Sequence, residues 1–148
     1  AAPPGAPYQA PEIVRGVSGE AVAILQKPDE TKVRAQLEDL FAKGYRSLAI
    51  VFMFSYTFPD HEQLVKRIAR DIGFPHISCS AELMPMIKMV PRATSATADA
   101  YLTPVLQAYI DGFFSGFDSS PPPGPARPRV EILMSHAGLT SVEQLTGL

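Results

Sequence analysis

Six consecutive apolar residues, Leu48-Ala49-Ile50-Val51-Phe52-Met53, stand between two segments of helical periodicity and constrain this chain more than any other feature. A strand so uniformly apolar is expected to be buried on both faces, as the centre of a parallel sheet is. On its N-terminal side Asp29 offers an N-cap for a helix whose Val33, Leu37, Leu40 and Phe41 recur at i, i+4, i+7 and i+8, with Gly44 to end it. On its C-terminal side a second helix starts near Pro59 or Asp60. It carries Leu64, Ile68 and Ile72 on one face beside Val65 and Ala69, and stops at Gly73. Strands at Ala21–Leu25, ended by Pro28, and at His76–Ser80 complete a β-α-β-α-β alternation. That order predicts an α/β fold with a mostly parallel sheet and right-handed crossovers.

A long helical stretch follows from about Ser95 to Phe117, with Pro104 inside it to kink or restart it and Thr103 as a cap. Beyond the proline, Leu106, Tyr109, Ile110, Phe113, Phe114 and Phe117 form a wide apolar stripe. Such spacing reads first as a core face; the other reading is a surface that packs on another domain. Ser119–Arg129 is a Pro-rich spacer, Val130–Met134 a final strand, and Thr140-Ser141-Val142-Glu143 a capping box for a short terminal helix. The chain thus divides into a linker end (1–12), an α/β segment (13–118), a Pro-rich loop (119–129), and a closing strand and helix of the same domain (130–148).

Composition narrows the function classes. With 148 residues and 46% hydrophobic content the chain is long enough for one domain with a real core. Thirteen basic and fifteen acidic side chains, with no cluster of five Lys or Arg, argue against a phosphate-tracking surface for nucleic acid. Cys79 stands alone, so neither an internal disulfide nor a Cys-rich metal site is available, and a cytoplasmic setting fits. No apolar run reaches the ~18 residues of a membrane span. The first eleven residues, four of them proline, carry no signal-peptide pattern and read as a cut or linker end. Neither Gly-x-x-x-x-Gly-Lys-Ser/Thr nor Gly-x-Gly-x-x-Gly occurs, so no self-contained nucleotide cradle is present.

The candidate chemistry gathers around residues 92–101. Arg92, at the end of an apolar run, offers a guanidinium fork for a carboxylate or phosphate; its alternative is an ion pair with Asp99 or Glu82. Thr94, Ser95 and Thr97 bring hydroxyls near a helix start, where they either meet an anion or cap the helix. Asp99 lies seven residues after Arg92 and shares its face if the helix starts early; with Tyr101 it is a candidate to accept a proton. His61 lacks a metal partner at i+3 or i+4 and reads as corner-stabilising. Ser135, His136 and Gly138 sit on a strand-to-loop turn of the kind that contacts ligands in α/β proteins. Cys79 reads as an inert buried thiol.

The run Leu83-Met84-Pro85-Met86-Ile87-Lys88-Met89-Val90-Pro91-Arg92, with Ala93-Thr94-Ser95-Ala96-Thr97-Ala98-Asp99-Ala100-Tyr101-Leu102-Thr103-Pro104 after it, resembles the hydantoinase/oxoprolinase family. Arg15-Gly16-Val17-Ser18-Gly19-Glu20, Ser55-Tyr56-Thr57-Phe58-Pro59-Asp60-His61-Glu62 and Ser78-Cys79-Ser80-Ala81-Glu82 follow the family's order, and the match runs from about residue 13 to 118. Three positions depart from it: Phe54 replaces a His, His136 an Asp, and Ala137 the first Gly of the later turn.

The resemblance implies part of an actin-like ATPase architecture and an internal segment of a longer enzyme whose phosphate-binding loops lie elsewhere. It implies an ATP- and Mg²⁺-dependent cyclic-amide hydrolase, homo-oligomeric when complete, that opens 5-oxoproline to glutamate, with the isolated segment inactive and binding neither cofactor. On that basis Asp99 and Ser95 would be catalytic. Arg92, Thr94, Tyr101, Ser135, His136 and Gly138 would bind substrate, and no metal would be held by this segment. The competing reading is a truncated, non-catalytic α/β module that binds a protein partner through the aromatic helix face.

Overall fold

The computed structural model describes residues 11–116, 131–133 and 138–141. The Pro-rich spacer, Phe117, Ser135, His136 and Ala137 lie outside the described residues.

The two helices flanking the apolar run form as their capping and periodicity require. Helix α1 (Glu30–Ala42) starts at Asp29, whose Oδ1 accepts the amide of Lys32 at 3.2 Å. Helix α2 (Asp60–Ile72) ends at Gly73, where φ is +105° and the amide reaches back to Ala69 O at 3.2 Å. Only glycine adopts that backbone cheaply. Between the helices runs β3 (Ser47–Ile50), and after α2 comes β4 (His76–Cys79), parallel to β3 with Ser47 opposite His76 and Ile50 opposite Cys79.

The strand period of two divides this pair into unlike faces. Leu48, Ile50, Ile77 and Cys79 pack with Leu37, Val65, Ile68, Ala69 and Phe74, the apolar core against α1 and α2. Ser47, His76 and Ser78 face the other way, toward α4 (Met89–Ser115), which follows a single helical turn, α3 (Ser80–Leu83). The result is a small three-layer unit: two helices, two parallel strands, one long helix.

Several expectations are corrected. The strand stops at Ile50 rather than Met53, and Met53 is exposed. Side chains of Glu62 and Arg92 take up the backbone groups of Phe52 and Met53, which turns the chain out of the sheet. The Ala21 strand, β2 (Ala21–Ile24), does not join β3. It pairs antiparallel with β1 (Glu12–Arg15), a strand the sequence reading passed over. A five-residue connection closes at far lower entropic cost than a crossover, so local pairing wins. A third small sheet pairs β5 (Glu131–Leu133) with β6 (Leu139–Ser141), also antiparallel, so Thr140 and Ser141 are strand residues and not the start of a helix. The fold is mixed α/β, but two of the three two-stranded sheets among the described residues are antiparallel, not the mostly parallel sheet expected.

Helix α4 also begins earlier than expected, at Met89, and none of Thr94, Ser95 or Thr97 caps it; the N-cap is Lys88, without a side-chain bond. Pro91 is tolerated because an amide in the first helical turn has no intrahelical partner to lose. Pro104 is different. Lying in the helix interior, it leaves the Ala100 carbonyl without the amide that i+4 would supply. Ser47 Oγ donates to that carbonyl instead, so β3 repairs the gap and the helix runs through the proline unbroken. Ser47→Ala is therefore expected to cost about 1 kcal/mol in urea denaturation, from one part-buried acceptor left without its donor. A loss below a few tenths would show that water replaces the hydroxyl.

Candidate functional site

The carboxyl ends of β3 and β4 are where a parallel pair presents its loops, and here they are held by a buried ion pair. Arg92 projects inward from the first turn of α4 and is fully buried. Its Nη1 donates to Ser55 Oγ and, at 2.7 Å, to Ser80 Oγ; its Nη2 donates to Phe52 O at 2.9 Å and Met53 O at 2.8 Å. Glu62, equally buried in the first turn of α2, has Oε1 3.9 Å from Arg92 Nη1. The carboxylate accepts from Phe52 N at 2.9 Å, Ser80 Oγ at 2.7 Å and Ala81 N at 3.0 Å. Ser80 thus bridges the charges, accepting from the guanidinium and donating to the carboxylate. Two charges at such depth are stable only because nearly all their hydrogen-bonding capacity is met; Arg92 Nε is the exception, a buried donor without a partner.

A second buried cluster lies two turns further along the same face of α4. Asp99 accepts from Ser78 Oγ and Thr103 Oγ1, each at 2.6 Å, and His76 Nε2 lies 3.3 Å from its Oδ2. Burial works to raise the Asp99 pKa, but the Ser78 and Thr103 hydroxyls and the neighbouring His76 together bring it below the ordinary carboxylate value. The acid is therefore ionised at neutral pH and engaged by both oxygens. A third contact closes the corner: Val17 N donates to Thr57 O at 2.9 Å, docking the β1–β2 turn on residues 55–57. Gly16 makes room there, since a Cβ would sit 2.5 Å from both Glu20 Oε1 and Thr57 Oγ1 and would force those side chains to move.

The two readings of Arg92 as a partner of Asp99 or Glu82 are corrected: its acid is Glu62. Glu82 is bound by Lys66 Nζ at 2.5 Å and Gln63 Nε2 at 2.8 Å. Burial would raise its pKa, but those bonds outweigh burial and lower it. Arg92 and Asp99 do share a face of α4, both pointing inward. Thr94 and Tyr101 point outward, Thr94 Oγ1 donating to Val90 O at 3.1 Å and Tyr101 being 74% exposed. With Met89, Val90, Ala93, Thr97 and Ala98 they line an open groove of about 570 Å³. Ser95 is half-buried, its hydroxyl 3.9 Å from Met84 Sδ, and Gly138 is half-buried before β6.

The nominated residues of α4 therefore fall on two sides of the helix rather than in one pocket, while Ser135 and His136 lie outside the described residues. His61 makes aromatic contacts, 5.1 Å from the Phe58 ring and 6.2 Å from Phe52. Burial, then the charge of Glu82, pushes the Cys79 thiol up to about 12, which suits an inert core residue. Among the described residues no three His, Cys, Asp or Glu side chains converge as a metal site, and no helix is long and apolar enough to cross a membrane. Sequence reasoning missed Glu62, Ser55, Ser78, Ser80 and His76. One signal was present: Glu62 falls in phase with Val65 and Ala69, a charge on the apolar stripe of α2.

Comparison with known proteins gives this arrangement a context. A family model described as the hydantoinase/oxoprolinase N-terminal region matches residues 5–73. The chain is 44% identical over 142 residues to a 5-oxoprolinase of Saccharomyces cerevisiae, covering 96% of this chain and 11% of the relative. It is 44% identical over 133 residues to a 5-oxoprolinase of Dictyostelium discoideum, covering 90% of this chain and 10% of the relative. A more distant similarity, 30% over 84 residues, is to a caprolactamase subunit alpha of Pseudomonas jessenii, covering 56% of this chain and 12% of the relative. The chain thus spans about a tenth of the length of these relatives. The similarity to the hydantoinase/oxoprolinase N-terminal region thus lies in residues 5–73, and the similarity to 5-oxoprolinases extends over nearly the whole chain.

Proposed function

We propose that this chain is one region of a longer ATP-dependent cyclic-amide hydrolase that opens 5-oxoproline to glutamate. The observation that carries the reading is 44% identity sustained over 142 residues to a protein named for that activity. In this reading Arg92 and Asp99 act from inside, holding the carboxyl ends of β3 and β4 and the register of α4. Thr94 and Tyr101 present a hydroxyl and a phenol to the open groove, while Ser95 faces Met84 outside its lining. Ser135, His136 and Gly138 contribute from the later turn. Neighbouring regions of the enzyme would close the groove over a small amide, as interfaces between domains commonly do.

No Gly-rich phosphate loop occurs in the sequence, and no acidic group of the kind that holds Mg²⁺ assembles among the described residues. ATP would be held by other regions of the enzyme, within the actin-like architecture that the family resemblance implies, and a cytoplasmic setting belongs to the same reading. A second reading, a non-catalytic module binding a protein partner, is favoured by one observation: Tyr109, Phe113 and Phe114 lie on the surface of the described chain.

An assay of glutamate release from 5-oxoproline by the full-length gene product, with and without ATP, separates the two. ATP-dependent turnover is expected, with a Tyr101→Ala variant raising KM at least ~10-fold through lost contact with substrate. Absence of turnover in a folded full-length protein would overturn the enzyme reading in favour of the module.

A further inference from the structure

The solvent-facing side of α4 is built for burial. From Met89 to Ser115 the helix carries three charged residues, Arg92, Asp99 and Asp111, and the first two are turned inward and buried. Over the first 22 residues of the helix no charged side chain therefore reaches the outer face. What does reach it is Val90 (70% exposed), Tyr101 (74%), Val105 (63%) and Tyr109 (71%), with Leu102, Phe113 and Phe114 beside them. Met86 and Ile87, in the preceding loop, add to the same exposed apolar set. The polar side chains that share this outer face, Thr94, Thr97 and Gln107, are uncharged, and an exposed apolar surface of this extent marks an interface.

The opposite side of the unit differs sharply. The outward residues of α1 and α2 include Lys32, Arg34, Glu38, Asp39, Arg67, Arg70 and Asp71, several of them in surface ion pairs. That side is finished as a solvated surface, whereas the α4 side is not.

We infer that the outer face of α4, centred on Val105 and Tyr109, is the surface on which the rest of the same long polypeptide docks, with α1 and α2 facing solvent. The inference rests on the reading above, that the chain is one region of a longer enzyme. The occupant follows from length: this chain accounts for only 11% of the relative it matches at 44% identity. A covalently attached neighbour also holds an effective concentration that a separate copy does not. The occupant's surface is correspondingly apolar and uncharged, because a charge set against α4 would be desolvated without a partner.

The test places a photo-reactive phenylalanine derivative at Val105 or Tyr109 in the full-length gene product, with Glu38 on the outer side of α1 as control. Cross-linked peptides are read by mass spectrometry. Adducts from positions 105 and 109 to peptides of the same molecule outside residues 1–148, with none from position 38, are expected. Adducts between the α4 helices of two molecules, no adducts at 105 and 109, equal adducts at 38, or a gene product that ends at Leu148 would each overturn the inference. Glutamate release by the same preparation reports separately on the proposed activity. An inactive protein with the expected adducts keeps the docking surface, and an active protein without them loses it.

Discussion

Replacing Glu62 by Ala is expected to destabilise the fold by about 3–5 kcal/mol, the usual range for removing one partner of a buried ion pair. Measured by urea denaturation, the loss would place this exposed-looking sequence position among the most sensitive in the chain. Its origin is not the attraction to Arg92 alone. The variant strands the amides of Phe52 and Ala81 and the hydroxyl of Ser80, and leaves the guanidinium buried without its counter-charge. Arg92→Ala should be comparably damaging, since Met53 O, Ser55 Oγ and Ser80 Oγ lose the guanidinium donor and Phe52 O keeps only its bonds from Ser55. The double variant should then cost much less than the sum of the two, because each single change already dismantles the same network. Strict additivity in that cycle would show that the two residues act independently and that the ion pair is incidental.

Asp99→Ala is expected to cost about 2–4 kcal/mol, because the hydroxyls of Ser78 and Thr103 lose a charged acceptor in a dry setting. Asp99→Asn should be milder, since an amide oxygen still accepts one of them. The pH profile distinguishes this from simple packing loss. The folded-state pKa of Asp99 is lowered, so its stabilisation is complete above the unfolded carboxylate value near 3.9 and is lost as pH falls through the lower folded value. Wild type should therefore lose stability below about pH 4 more steeply than Asp99→Asn. Glu82, lowered for a different reason, leaves a residual slope in both. Parallel profiles would mean that Asp99 contributes shape rather than charge.

Much of the fold was legible because it rests on local rules. The periodicity of Val33, Leu37, Leu40 and Phe41 and the stop at Gly73 needed only helical geometry and a left-handed cap. What stayed hidden depended on pairing across distance. Nothing in residues 12–15 announces a strand until residues 21–24 fold back on them. The apolar run from Leu48 implied a longer strand than forms, because a side chain ten residues later, Glu62, captures the Phe52 amide. The candidate site shows the same limit. Arg92 and Asp99 stood out by residue type, and the helix does place both on one face. The acid that pairs with Arg92 lay in another helix, and sequence proximity pointed instead to Glu82, which belongs to Lys66. Buried polar networks are assembled from residues that look ordinary one by one; Ser55, Ser78 and Ser80 stood in segments that follow the family's order, but their partners show only once the backbone brings them together.

The Ser47–Ala100 bond has a mechanical meaning. In an unbroken helix every carbonyl is tied to the amide one turn on, so bending is shared along the rod. At Pro104 that tie is absent, and the missing link is made to a strand. The stretch from Pro104 to Ser115 is thus an arm whose pivot is anchored in the sheet. A load applied at its tip, by anything seated against Tyr109 or Phe113, is delivered to Ser47 and to the Ser47–His76 rung at the start of the strand pair.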